Sequence, residues 1–327
     1  MFYNRSRELV KMCSFMSLFQ EERMISMIKN ECLLMDGKAA AQVVKNRVAQ
    51  QVRNIRAGGN DVTLAVVQVG HNPASDMYIR NKKKACEEVG IKFSLYEMNE
   101  SISETELKNL IMKLNDDIFV TGIMVQLPLP DHIDEDEIKA LIMPMKDVDG
   151  FNPTSVGLLH MGTLSMAPCT AAGIMRLLEA NHVDVAGKHC VVVGRSDIVG
   201  KPVSALLLDA DATVTVCHSK TVGLKEICKT ADVLIVAVGK SKFINHEYVK
   251  DGAVVIDVGI NRDSNNKLTG DVDTEDVKNV ASIVTPVPGG VGPMTVAMLL
   301  DNCVTAHDIQ RSYLEQVRAF KANGGKF

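Results

Sequence analysis

Residues 189–202, H-C-V-V-V-G-R-S-D-I-V-G-K-P, carry the clearest indication of the fold of this chain. The mostly apolar beginning of this stretch predicts a buried strand, Gly194 makes a turn, and Gly200 begins the next helix. The spacing is G-x-S-x-x-x-G and differs from the usual G-x-G-x-x-G, so the interpretation depends on the position between a strand and a helix. A helix N-terminus placed in this way can hold a pyrophosphate.

Apolar runs surround this stretch throughout the second half of the chain, after Pro168. We predict strands near residues 189–193, 213–217, 232–238, 253–258 and 282–284. Helical or loop segments separate these runs, which is typical of a Rossmann-like parallel sheet.

The first half of the chain shows the same alternation. We predict strands at 62–69, 91–96 and 118–127, with helices at 73–89 and from Ser103 to about Asn115. Ser103 and Glu106 form a capping-box signature at the start of the second helix. Ligands of parallel sheets bind beyond the carboxyl ends of strands, so Gln126, at the end of its run, is favourably placed. With 327 residues, the chain is long enough for two α/β domains.

Composition limits the classes of ligand and partner. The chain is 46% hydrophobic and 23% charged, its net charge is −4, and no basic cluster is interleaved with aromatic residues. No apolar run approaches the roughly 18 residues of a membrane span. We therefore expect a small-molecule ligand, with no nucleic acid and no membrane as partner.

The eight cysteines contain no C-x-x-C pair and the eight histidines contain no H-x-x-x-H pair. We therefore predict no metal site, and thiols that stay reduced in a cytoplasmic protein. The first thirty or so residues are Met-rich and compatible with a helix, but Glu8, Glu21 and Glu22 argue against a mitochondrial presequence. We expect residues 1–32 to be an extension or the result of an upstream start.

The strand at 213–217 continues into H-S-K, where an NAD enzyme would have an Asp or Glu for the ribose 2′-hydroxyl. Ser219 and Lys220, together with Arg195 of the glycine turn, suit a 2′-phosphate better than a hydroxyl. We therefore favour NADP over NAD. The alternative is that these side chains are solvated surface groups.

Two motifs in the first half offer groups for catalysis and binding. Tyr78 and Lys82 are four residues apart on one helix face, so an aromatic surface and a potential base could reach one ligand. Lys82 also belongs to a K-K-K run, which is typical of a solvated face. In K-D-V-D-G at 146–150, Asp149 could accept hydrogen bonds from a ligand, although the segment could equally be a simple Asp-Gly turn.

The loop T-P-V-P-G-G-V-G-P-M-T at 285–295 combines prolines, which fix φ, with glycines, which permit close ligand approach. With this loop, the chain from about Leu33 to Gly324 resembles the bifunctional methylenetetrahydrofolate dehydrogenase/cyclohydrolase family. The motifs that produce the resemblance are V-G-H-N-P-A-S at 69–75, V-Q-L-P-L-P at 125–130, K-D-V-D-G-F at 146–151, P-C-T at 168–170, G-R-S-D-I-V-G-K-P at 194–202 and this loop.

The resemblance implies roles for individual residues. Lys82 would be the central catalytic group, Gln126 would orient it, and Tyr78, counted with the catalytic set, would stack on the folate. Asp149 would recognise the pterin. Further substrate-binding residues would be Pro288, Gly289 and Gly290. The residues that would bind NADP are Gly194, Arg195, Ser196, Gly200, Ser219 and Ile260.

The resemblance also implies domains and an activity. A folate-binding catalytic domain would cover 33–150, completed by a C-terminal helix at about 307–323 with an apolar stripe at 309–320. An NADP-binding Rossmann-like domain would cover 151–306, with a cleft between the two. The enzyme would be a cytoplasmic homodimer. It would oxidise 5,10-methylenetetrahydrofolate and hydrolyse the product to 10-formyltetrahydrofolate, in one-carbon metabolism that serves purine biosynthesis.

Three alternatives stay open at this stage. A monofunctional dehydrogenase would lack the Tyr78, Lys82 and Gln126 set, which is present. A nucleotide-binding module without turnover would bind cofactor but no folate. A shikimate-type dehydrogenase also pairs a lysine with an aspartate, but the loop at 285–295 disfavours it.

Overall fold

The computed structural model describes residues 31–163, 166–263 and 265–323, so the predictions for the first thirty residues lie outside the described residues. The helices are α1 (Gly37–Ala57), α2 (Pro73–Val89), α3 (Glu104–Asp116), α4 (Glu135–Leu141), α5 (Pro153–His160), α6 (Cys169–Ala180), α7 (Gly200–Asp209), α8 (Leu224–Cys228), α9 (Thr274–Val277) and α10 (Val291–Ala322), with short 3-10 turns at Pro144–Lys146 and His246–Tyr248. The strands are β1 (Leu33–Leu34), β2 (Thr63–Val69), β3 (Lys92–Met98), β4 (Gly122–Val125), β5 (His189–Val193), β6 (Thr213–Cys217), β7 (Val233–Val236), β8 (Val254–Asp257), β9 (Asn261–Arg262), β10 (Leu268–Thr269) and β11 (Ile283–Val284).

The chain divides into two compact units, each built around a parallel sheet. The six-stranded unit contains the described residues up to Ala40 and Gly173–Met294, and the three-stranded unit contains the described residues of Ala41–Ala172 and those from Thr295 onward. This organisation is the two-domain α/β class that the sequence predicts. The divisions differ from the expected boundary at 150/151.

The sheet of the six-stranded unit has the order β1-β11-β8-β7-β5-β6, and all its pairs are parallel. Val191, Leu234 and Val255 lie at its centre and are 0% exposed. Strands covered on both faces need continuous apolar runs, and β5, which lies inside the sheet, was predicted with its correct ends. The edge strand β6, in which threonine and valine alternate, was also predicted with its correct ends.

The edge strand β1 explains one difference in the domain boundary. Leu33 pairs with Ile283 and Leu34 with Val284, so the segment expected to begin the first domain instead extends the six-stranded sheet. Two residues give no readable periodicity, and their partner lies some 250 residues along the chain. The antiparallel pair of β9 with β10 was not predicted either, because each of these strands also has only two residues.

The three-stranded sheet has the order β3-β2-β4, all parallel, and α2 and α3 follow β2 and β3 as predicted. The capping box is confirmed. Ser103 Oγ accepts the Glu106 amide at 3.3 Å, and Glu106 Oε2 accepts the Ser103 amide at 3.0 Å. The two contacts satisfy donors that the start of α3 would otherwise leave unpaired.

The strand predicted at 118–127 is shorter in the structure, where β4 covers only Gly122–Val125. Asp117 turns the chain after α3, because its carboxylate accepts the Phe119 amide at 2.8 Å. Ile118 and Phe119 are consequently 85% and 78% exposed. The apolar pattern therefore predicted four strand residues too many at the start.

The C-terminal helix differs from expectation in its length and in its buried part. α10 begins at Val291 and not near 307, and its buried residues lie between 291 and 306. Within the predicted stripe at 309–320, Tyr313 and Leu314 are 52% and 53% exposed. Gln310 instead attaches this part of the helix to the three-stranded unit by donating to the carbonyls of Thr121 and Met145. None of the helices in the described part of the chain is long and apolar enough to cross a membrane.

Candidate active site

Lys82 is the centre of a polar cluster in the three-stranded unit. It lies one turn after Tyr78 on α2 and is half-buried, whereas its neighbours Lys83 and Lys84 are exposed. Its Nζ donates to Gln126 Oε1 at 3.0 Å and lies 3.2 Å from Met124 Sδ. Of the K-K-K run, Lys82 alone therefore points into the protein.

Gln126 follows directly after β4, at the carboxyl end predicted from the sequence. Its Nε2 donates to the carbonyl of Leu127 at 2.7 Å, which fixes the orientation of the amide. The carbonyl oxygen of the side chain is thereby directed at Lys82. The structure therefore brings together these two residues of the expected catalytic set.

Burial lowers the pKa of Lys82, because removal from water disfavours the charged ammonium. The carboxylate of Asp149 opposes this effect through space and raises the same pKa. The first cause is the larger one. Lys82 therefore loses its proton at a lower pH than an exposed lysine would. The neutral amine that results can accept a proton.

The turn that presents Asp149 is built around Asp147. The Asp147 carboxylate is 2% exposed. It accepts the amides of Gly150 at 3.0 Å and Asn152 at 2.8 Å, and the hydroxyl of Ser155 at 2.9 Å. Asp147 is thus committed to the turn itself. This leaves Asp149 as the aspartate of K-D-V-D-G that is available to a ligand.

Asp149 is half-buried, and within the described residues its carboxylate has no hydrogen-bond partner closer than Cys169 Sγ at 4.0 Å. Burial raises its pKa to about 6, partly offset by Lys82 and reinforced by Asp147. The group is therefore mostly ionised at neutral pH. An ionised carboxylate with unused acceptor capacity suits a ligand that offers N–H donors.

Cys169 and Asn302 belong to this cluster, although no sequence-based prediction assigned them a role. Asn302 of α10 is 4% exposed and donates to the carbonyls of Val148 at 2.8 Å and Ala167 at 3.0 Å. Burial raises the pKa of Cys169 far above its usual value, so the thiol stays neutral. The P-C-T motif could have indicated Cys169, whereas only the tertiary contact identifies Asn302.

Tyr78 is 38% exposed and shares the face of α2 with Lys82. Its ring makes no aromatic stacking contact with another described residue. An accessible aromatic face one helical turn from Lys82 is compatible with stacking on a flat ligand. No group of three or more His, Cys, Asp and Glu side chains in the described residues is arranged to hold a metal ion.

The glycine turn of the six-stranded unit joins β5 to α7 as predicted. Gly194 has φ of 130°, and a Cβ there would lie 2.2 Å from the carbonyl oxygen of Ala237. A Cβ on Gly200 would lie 2.2 Å from the carbonyl oxygen of Gly194. Ser196 Oγ accepts the amide of Val199 at 3.2 Å and so shapes the turn before α7. Only glycines permit this close backbone packing.

Arg195 is exposed in this turn, and Ser219 and Lys220 are exposed just after β6, the strand that neighbours β5. No acidic residue follows β6 at this point. An arginine, a hydroxyl and a lysine at the ends of two adjacent strands fit a dinucleotide that carries a 2′-phosphate. Ile260 lies after β8 and is 53% exposed.

The loop of Pro288, Gly289 and Gly290 also belongs to the six-stranded unit, directly before α10. Gly289 has φ of 112°, and the amide of Gly290 donates to the carbonyl of Pro286 at 2.8 Å. A Cβ on Gly37, at the start of α1, would lie 1.8 Å from the Gly290 oxygen. The loop is thus packed tightly against the beginning of α1.

Comparison with known proteins identifies both halves of the chain. Residues 35–149 match the tetrahydrofolate dehydrogenase/cyclohydrolase catalytic domain, and residues 168–311 match the NAD(P)-binding domain of the same family. The chain is 58% identical over 273 residues to the bifunctional protein FolD of Agathobacter rectalis, covering 84% of this chain and 98% of that protein. It is 51% identical to the protein of the same name from Acetivibrio thermocellus, covering 86% and 98%.

Solved structures give the same result. The bifunctional FolD methylenetetrahydrofolate dehydrogenase/cyclohydrolase of Campylobacter jejuni superposes with a TM-score of 0.84 at 49% identity, covering 85% of this chain and 99% of that one. The Trypanosoma brucei FolD enzyme, solved with NADP and an inhibitor, has a TM-score of 0.81 at 37% identity, covering 86% and 99%.

Proposed function

This chain belongs to the tetrahydrofolate dehydrogenase/cyclohydrolase family, and we propose that it performs both reactions of the family's bifunctional members. It oxidises 5,10-methylenetetrahydrofolate to the 5,10-methenyl cation with NADP, and hydrolyses the cation to 10-formyltetrahydrofolate. The observation that supports both steps best is the half-buried Lys82, bonded to Gln126 and electrostatically coupled to an otherwise uncommitted Asp149.

Binding of the folate would rest on Asp149 and Tyr78. The Asp149 carboxylate accepts hydrogen bonds from N–H groups of the pterin, and the Tyr78 ring stacks on a flat part of the substrate. Pro288, Gly289 and Gly290 form a stiff loop that allows close approach of a substrate to the backbone. Fixing the one-carbon bridge in one orientation lowers the entropic part of the barrier.

Bound NADP would supply the acceptor of the hydride. In this chain its pyrophosphate would bind at the start of α7, in the turn of Gly194, Ser196 and Gly200. Arg195 and Ser219 would bind the 2′-phosphate, and Ile260 would contact the cofactor from the end of β8. The missing acid after β6 and the exposed cations support this choice over NAD.

Hydrolysis requires a base. Water adds to the methenyl carbon of the cation, and neutral Lys82 accepts the proton that this water loses. The bond between that carbon and N5 then breaks, N5 takes up a proton, and the hydroxyl group loses its remaining proton to become the carbonyl of the formyl group on N10. Gln126 holds the Lys82 amine in one position by accepting one of its N–H groups.

We expect Arg195→Ala to lower kcat/KM for NADP by about tenfold, because a charged hydrogen bond to the 2′-phosphate is lost. Activity with NAD should change little, since NAD lacks that phosphate. Steady-state kinetics with both cofactors measures the ratio. Arg176→Ala, which removes another surface arginine of the same unit, should leave the ratio unchanged; an equal loss with NAD and NADP would contradict the role of Arg195.

We also propose a cytoplasmic homodimer whose small-molecule partner is folate, without nucleic-acid or membrane partners. The net charge of −4 and the lack of a basic cluster support the absence of nucleic acid. The 10-formyl product is a one-carbon donor, and we propose purine biosynthesis as the process that it serves.

The test mixes the purified protein with methylenetetrahydrofolate and either NADP or NAD, and follows reduced nicotinamide and the methenyl cation separately. We expect reduction with a preference for NADP and little accumulation of the cation. Accumulation of the cation at the rate of reduction would indicate a monofunctional dehydrogenase. No reduction with either cofactor would contradict the proposal and favour a binding module.

A further inference from the structure

Two buried carboxylates lie beside the ends of β7 and β8 in the six-stranded unit. Asp257 is the last residue of β8 and is 1% exposed. Asp271 follows β10 and is 0% exposed. Neither carboxylate has an ion-pair partner among the described residues, so each must be stabilised by hydrogen bonds.

Asp271 accepts hydrogen bonds from three consecutive backbone amides. Its Oδ2 accepts the amides of Val238 at 2.6 Å and Gly239 at 2.9 Å, and its Oδ1 accepts the amide of Lys240 at 2.8 Å. Oδ1 also accepts the side-chain amide of Asn261 at 2.8 Å. One carboxylate thus joins the loop after β7 to the segment after β8.

Asp257 fixes the backbone on either side of the Asp271 side chain by accepting hydrogen bonds from the amides of Asp271 and Val272. Its Oδ1 accepts the amides of Gly259 at 2.9 Å and Asp271 at 2.9 Å, and its Oδ2 accepts the amide of Val272 at 3.0 Å. A Cβ on Gly259 would lie 2.3 Å from Asp271 Cγ, and a Cβ on Gly270 would lie 1.7 Å from Asp257 Oδ2. The two glycines therefore make room for the carboxylates.

The outward side of these two loops is accessible. Gly239 and Lys240 are exposed, and Ile260 is 53% exposed. In the described residues, no hydrogen bond reaches the carbonyl oxygens of Val238 and Gly239. The amides of the loop thus face the buried carboxylate, while its carbonyls remain available to a ligand.

Ligands of doubly wound sheets bind beyond the carboxyl ends of the strands, which is where both loops lie. We propose that Asp271 is a positioning residue for the dinucleotide: by binding both residues 238–240 and Asn261, it sets the loop surface on which the cofactor binds. The inference rests on the proposed function, because it takes NADP as the ligand of this unit. Asp271 itself does not touch the cofactor.

The test compares Asp271→Asn with the wild-type protein. The asparagine side chain has the same shape but replaces one carboxylate oxygen with an NH2 group, which then faces backbone N–H groups that need an acceptor. The loop after β7 therefore loses its fixed position. We expect Kd and KM for NADP to rise at least about tenfold. Hydrolysis of supplied methenyltetrahydrofolate without cofactor uses the other unit and should keep its kcat, which a general loss of folding would not allow.

Two further variants make the result decisive. Asn261→Ala removes only the link to the segment after β8 and should raise Kd for NADP by a smaller factor; it decides the question if Asp271→Asn does not fold. Asp273→Asn, two residues along and paired with Lys242 at the surface, should behave as wild type.

Binding of NADP is measured by titration, separately from turnover, so that the two proposals can fail independently. A wild-type protein that does not bind NADP would contradict the proposed function. A wild-type protein that binds NADP, together with a folded Asp271→Asn variant of equal affinity, would overturn the role of Asp271. A parallel loss of hydrolysis and NADP binding would assign Asp271 to stability alone.

Discussion

Lys82→Met is expected to lower kcat for hydrolysis of methenyltetrahydrofolate by about 10²- to 10⁴-fold, the range that a positioned general base contributes. Methionine keeps the length and apolar stem of lysine but cannot accept a proton. Burial already lowers the pKa of Lys82, so removing its amine also removes a desolvated polar group, and the variant should fold. The rate of loss of the methenyl chromophore measures the effect.

The matched control is Lys83→Met, which makes the same change at the next, exposed residue of α2. It should leave hydrolysis unchanged, because the Lys83 side chain points to solvent. Wild-type hydrolysis by Lys82→Met would refute the assignment of the base. Equal losses in both variants would show that the charge of the helix matters more than the individual amine.

Asp149→Asn should lower kcat/KM of both reactions by about 10- to 150-fold, which corresponds to about 1.5–3 kcal/mol for a hydrogen bond to a charged group. The amide keeps the shape of the side chain but offers less acceptor capacity to the N–H groups of the pterin. Both reactions should suffer because they share one folate site. Initial rates of dehydrogenation and of hydrolysis, measured separately, test this.

The pH dependence provides a second signature of the same residue. Burial raises the pKa of Asp149 to about 6, so the carboxylate is ionised above this pH and becomes protonated as the pH falls through it. The affinity of the wild-type protein for folate should therefore fall below about pH 6, and Asp149→Asn should lose this step. Asp149 also raises the pKa of Lys82, so the variant should hydrolyse with a Lys82 pKa shifted further down.

Asp131→Asn, at an exposed position of the same unit, is the control and should reproduce the wild-type profile. A loss confined to hydrolysis in Asp149→Asn would restrict Asp149 to acting on Lys82. An unchanged pH step would mean that another group titrates near pH 6.

Local patterns were sufficient for most of the fold. Apolar runs located β5 and β6 with their correct ends, and Ser103 with Glu106 marked the start of α3. The apolar pattern failed at Ile118 and Phe119, because the Asp117 turn exposes them. The stripe at 309–320 failed similarly, since an amphipathic pattern does not state whether a partner surface covers it.

Sequence patterns alone predicted the order of strands and helices, the glycine turn at Gly194 and the candidates Lys82, Gln126 and Asp149, because these depend on periodicity, backbone freedom and residue chemistry. Contacts between distant segments were needed to show that Lys82 turns inward while Lys83 does not, and that Asp147 is committed to its turn while Asp149 remains available. The pairing of β1 with β11 and the backbone amides that donate to Asp271 could likewise not be predicted from the sequence. Burial and contacts between distant segments set these features, and neither is encoded in any local stretch of the chain.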